Sequence, residues 1–84
     1  MEQDKIIVIL KIHKRGESHD VEIPTDISAN DLIVALNSAF KLGMNTVDST
    51  QNCLKTENPI TLLRGTRLIS EYGLHNGTVI NFTD

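Results

Sequence analysis

The side chains able to do chemistry are few and scattered. The single cysteine, Cys53, would act as a nucleophile only with a base held beside it, and His13, His19 and His75 are the three histidines available. No spacing joins any of them to Cys53, so the ordinary reading is a half-buried strand cysteine behaving as a small hydrophobe. His13 and His19 flank one short turn and could meet across it, with Asp20 beside them, as a weak metal site. Two histidines at a turn are more commonly solvated. Lys14-Arg15-Gly16 has the look of a phosphate-binding turn, but Glu17 and Asp20 follow at once. It therefore reads as a solvated turn, as do Arg64 and Arg67 on either side of Gly65. One cysteine excludes a disulfide framework, a thiolate zinc site and a four-cysteine iron–sulfur cluster. No cofactor is expected, and nothing marks an enzyme.

Composition narrows the partners. Eight Lys+Arg stand against eleven Asp+Glu, a net charge of −3, which disfavours nucleic acid and anionic membranes because both need a basic face. The longest apolar run, Ile6–Leu10, has lysines on both sides and is far too short to span a bilayer. The opening Met1-Glu2-Gln3-Asp4 is acidic where a signal peptide is basic, so a cytoplasmic location is expected. The triplets Asn76-Gly77-Thr78 and Asn81-Phe82-Thr83 then read as coincidence rather than glycosylation sites. With 84 residues, 39% of them hydrophobic and 23% charged, one folded domain over 1–84 is expected.

The elements that must position these groups follow from hydrophobic period. Ile6, Val8, Leu10 and Ile12 alternate, leaving Ile7, Ile9 and Lys11 on the opposite face of a first strand. Lys14–Glu17 is a polar turn. Val21 and Ile23 then face in and Asp20 and Glu22 out, and Pro24 ends this second strand because it cannot donate to a ladder. At Ser28-Ala29-Asn30-Asp31 the period changes: a capping hydroxyl precedes a carboxylate by three residues. Leu32, Ile33, Leu36, Ala39 and Phe40 form one helical stripe, and a helix over about 28–42 with a left-handed cap at Gly43 is predicted. Residues 44–52 read as a connecting loop. Strands are expected at 52–56 and 60–64 around Glu57-Asn58-Pro59. Turn residues fill 65–77, and Thr78–Phe82 closes as a last strand with Ile80 and Phe82 inward. This order is that of an α+β fold of β-grasp type, a mixed sheet curled around one helix, with the first and last strands as central neighbours.

The segment Ile69-Ser70-Glu71-Tyr72-Gly73-Leu74 followed by His75-Asn76-Gly77-Thr78 and an alternating strand resembles the C-terminal part of ubiquitin-like domains. Ile69 and Leu74 would plug the open end of the sheet, and Tyr72 would pack its ring while placing its hydroxyl at the surface. Among such domains the chain is similar to the bacterial YukD/EsaB family, whose ending is matched by Gly73-Leu74-His75-Asn76-Gly77-Thr78-Val79-Ile80, with Thr78 in place of the usual acidic residue. That resemblance implies a ubiquitin-like β-grasp and a cytoplasmic accessory or regulatory role in the type VII (WXG-type) secretion system of Gram-positive bacteria. A membrane component of the machinery is then an expected partner. The sequence closes on Asn81-Phe82-Thr83-Asp84 without the Gly-Gly that conjugated modifiers and sulfur carriers use, so a binding module rather than a modifier is expected.

The site expected for such a module is the face of the sheet that no helix covers. Ile7 and Ile9 lie there, and joined by Leu54 and Val79 they would make an exposed apolar patch of the kind that marks a partner surface. The edge strands leave a homodimer open as well.

Overall fold

A computed structural model describes residues 5–43 and 53–82. Its elements are β1 (Lys5–Ile12), β2 (Glu17–Pro24), α1 (Ala29–Phe40), β3 (Leu54–Glu57), β4 (Thr61–Leu63) and β5 (Val79–Phe82). The sheet order is β2-β1-β5-β3-β4. β1 and β5 run parallel as central neighbours, and the other pairings are antiparallel. The expected mixed sheet and its central pair are both present. The expected connecting loop over 44–52 lies outside the described residues.

β1 alternates as its sequence requires, with Ile6, Val8, Leu10 and Ile12 buried. These meet Ala29, Leu32, Ile33 and Leu36 of α1, the inward Ile23, Leu54, Leu63, Ile80 and Phe82, and Ile69 from the long β4–β5 connection. One core therefore lies between one face of the sheet and the helix. Removing a large side chain from it, as in Leu10→Ala, costs about 2–5 kcal/mol through lost burial and the cavity left behind.

α1 begins where the capping signal places it. Ser28 is extended and its Oγ accepts from the backbone N–H of Asp31 at 3.1 Å. The next free N–H groups are taken up by the β4–β5 connection: Ala29 donates to the Arg67 carbonyl and Asn30 to that of Gly65, each at 2.9 Å. The helix ends earlier than its apolar stripe suggests. Lys41, at φ 54, is the left-handed cap, two residues before Gly43, so the last turn turns Ala39 to solvent and leaves Phe40 half-buried. Leu42 still reaches the core from beyond the helix.

The turn after β1 is a short 3-10 segment, His13–Arg15, closed by Gly16 at φ 65. Arg15 is not the free turn cation that composition suggests. Its guanidinium donates to the carbonyl oxygens of Phe40, at 2.8 Å, and of Lys41. Tyr72 fulfils its expectation: its ring packs on the core and its hydroxyl donates to the Arg64 carbonyl at 2.9 Å. The Arg67 guanidinium carbon lies 5.3 Å from the centre of that ring, so this arginine too is engaged.

Candidate functional site

The open face of the sheet is built by the residues that alternate with the core set. On β1 these are Lys5, Ile7, Ile9 and Lys11, and on β2 Pro24, Glu22, Asp20 and Ser18, paired in that order. Ile9 registers with Val79 of β5, which registers with Glu57 of β3. Lys11 registers with Asn81, then Lys55, then Leu62 of β4. Ile7 is 50% exposed, while Ile9 and Val79 are half-buried by their neighbours. The three make a small apolar triangle on a face that no described element covers.

Leu54 does not belong to it. It is 1% exposed and points into the core, because it pairs with the buried Leu63. Burial of Thr56 on the same side fixes that phase. Its hydroxyl donates to the Pro59 carbonyl at 2.6 Å and accepts from the Thr61 N–H at 3.2 Å inside the β3–β4 turn. The outer face of β3 thus carries Lys55 and Glu57, and the apolar side chain that the sequence reading missed is Leu62, 38% exposed beside Lys55. The available signal was the Leu62-Leu63 pair, of which a strand can bury only one on each face. Ile60, 89% exposed, stands in the turn between β3 and β4.

The backbone beneath the triangle is tightly held. Ile7 N–H donates to Asn76 Oδ1 at 2.8 Å, and its carbonyl accepts from Gly77 at 2.9 Å. Gly77 adopts φ 93, as the Asn-Gly turn requires. Thr78 is fully buried, and its hydroxyl accepts from the His75 N–H at 3.0 Å and donates to the Asn58 carbonyl at 2.8 Å. An ionised carboxylate here could accept but not donate. Asn81 links the face laterally: its Nδ2 donates to Glu57 Oε2 at 3.0 Å, and its Oδ1 lies 2.8 Å from His13 Nε2.

The other chemical candidates are dispersed. His13 is bound to Asn81 of β5, whereas His19 sits on the helix side of β2, 3.1 Å from Glu17 Oε1 and 5.1 Å from the Phe40 ring centre. Asp20 projects from the opposite face of β2, so the three do not converge on one metal position. Among the described residues no group of three or more His, Cys, Asp or Glu is placed to hold a metal ion. Cys53 is exposed just ahead of β3 rather than half-buried within it.

Among the described residues, five strands in this order, with a parallel central pair and one helix against the sheet, define a ubiquitin-like β-grasp. Solved structures agree on that fold. The ubiquitin-like domain of yeast Ddi1 is 21% identical, with 95% of this chain and 91% of that one covered and a TM-score of 0.62. That of Plasmodium falciparum Dsk2 is 18% identical, with 94% and 99% covered and a TM-score of 0.61. The C-terminal ubiquitin-like domain of mouse tubulin-specific chaperone e is 10% identical, with 96% and 89% covered and a TM-score of 0.66. No curated protein matches the chain in sequence. The family profile described as "WXG100 protein secretion system (Wss), protein YukD" matches residues 7–81, and the chain belongs to that YukD family. It is therefore a ubiquitin-like protein associated with WXG100 secretion. Among the described residues no helix is long and apolar enough to cross a membrane.

Proposed function

We propose that the chain acts as a non-enzymatic, cytoplasmic binding module, an accessory or regulatory component of WXG100 secretion that docks through the open face of its sheet on a membrane component of the machinery. The observation that carries this reading is the half-exposed Ile7 beside Ile9 and Val79 on an uncovered face, in a chain of the YukD family. Burying such a patch, at roughly 25 cal/mol per Å² of apolar surface, favours association, and the surrounding charges set orientation. A non-catalytic role is supported by the histidine rings, which face Asn81, Glu17 and the Asn76 carbonyl rather than Cys53.

The test is a cross-linked pull-down from the source cells with wild type and Ile7→Glu, both checked for folding by circular dichroism. Wild type should capture a membrane component of the secretion machinery and the variant should not. Equal capture by the two removes the face from the reading. Capture of no secretion component by wild type removes the role.

A further inference from the structure

The charges around the apolar triangle are arranged in a pattern that is complementary to itself. Across the strand direction the triangle is bounded by acids, Asp20 and Glu22 on β2 and Glu57 on β3. Along the strand direction it is bounded by bases, Lys5 at one end and Lys11 with Lys55 at the other. Strand spacing of about 4.8 Å and a rise of about 3.3 Å per residue turn these registers into a map of the face.

A second copy laid on this face by a two-fold axis has few choices. An axis along the strands, between β1 and β5, sets Asp20 on Glu57, and one across them, midway between Ile7 and Ile9, sets Lys5 on Lys11. Both place like charges in opposition. An axis along one diagonal, crossing the two sheets at about 90°, removes every conflict. Ile9 then meets Ile9 of the second copy, and Ile7 meets Val79. Asp20 falls opposite Lys11, Glu22 opposite Lys55 and Glu57 opposite Lys5, each pairing occurring twice because the contact is isologous. All six charged residues of the face find the opposite sign in this one arrangement.

From this complementarity we infer that, in the free protein, a second copy of this chain occupies the open face as a crossed two-fold dimer. The inference rests on the docking-face reading and names the occupant that a secretion partner must displace. The contact is small, which places it at the weak end of specific association.

Sedimentation equilibrium tests it directly. The wild-type mass should rise with concentration from 9.3 kDa towards twice that value. Ile7→Glu should weaken association by about tenfold or more, equivalent to roughly 1.4 kcal/mol. Asp20→Lys alone and Lys11→Asp alone should each remain monomeric, since each sets like charges opposite one another. An equal mixture of the two should associate, because the heterodimer restores both pairs. Should either variant fail to fold, Glu57→Lys and Lys5→Glu repeat the test at the second pairing. A wild type that stays monomeric at about 1 mM overturns the inference. So does a dimer indifferent to Ile7→Glu, or a mixture that associates no better than its components. None of these three outcomes affects capture of a secretion component in the pull-down, so the two readings fail separately.

Discussion

Arg15 and Phe40 are twenty-five positions apart, and the guanidinium of the first donates to the backbone carbonyl of the second at 2.8 Å. The last turn of α1 contains no basic residue of its own. A cation from the β1–β2 turn thus satisfies orphan carbonyls at the negative end of the helix dipole and ties the hairpin to the helix. Arg15→Met keeps much of the aliphatic stem and removes the donors. We expect it to lower stability by roughly 1 kcal/mol, read as a shift of the urea midpoint with unchanged m-value. An unchanged midpoint would show the contact to be energetically idle.

Lys41 occupies the left-handed cap at φ 54, a conformation that costs a side-chain-bearing residue about 1–2 kcal/mol. Lys41→Gly removes that penalty at a lesser entropic cost, and a gain of roughly 0.5–1 kcal/mol is expected by denaturant titration.

Thr78→Val removes a hydroxyl that serves two backbone groups while keeping the shape of the side chain. Stability should fall by roughly 1–3 kcal/mol, because the Asn58 carbonyl and the His75 N–H lose their partner. Thr78→Ser, which keeps both bonds, should lie much closer to wild type when the three proteins are compared by thermal melts.

Cys53 is exposed, and the hydrogen bonds of the three histidine rings go to Asn81, Glu17 and the Asn76 carbonyl. It should react completely with a thiol reagent in the folded protein, without denaturant, at the rate of an ordinary free cysteine. A markedly faster reaction would mean that the thiol is activated.

Much of this was legible in the sequence, and the failures share a cause. β1 declared both its faces because four apolar residues alternate over eight positions, which also put Ile7 and Ile9 on the open side. Ser28 declared the helix start because capping is a local hydrogen bond. The face of Leu54 is not legible because β3 has four residues, too few for a period, and takes its phase from Leu63 and from the turn bonds of Thr56. Glycine is the local signal for a helix end and points to Gly43, whereas Arg15, remote in sequence, bonds the end at Phe40 and Lys41. Local chemistry can be read from one chain, but the partner that fixes a short element cannot.

The parallel pairing of β1 with β5 sets an order on synthesis. Leu10 must wait for Ile80, seventy residues behind it on the ribosome, before its strand has a neighbour on that side. Until then β1 is paired only with β2, a two-stranded hairpin with one Ile-rich edge open, and β3 and β4 have no strand that joins them to it. The sheet is therefore closed only once its last strand has emerged, and the interval before that is when this chain most needs shielding from other chains.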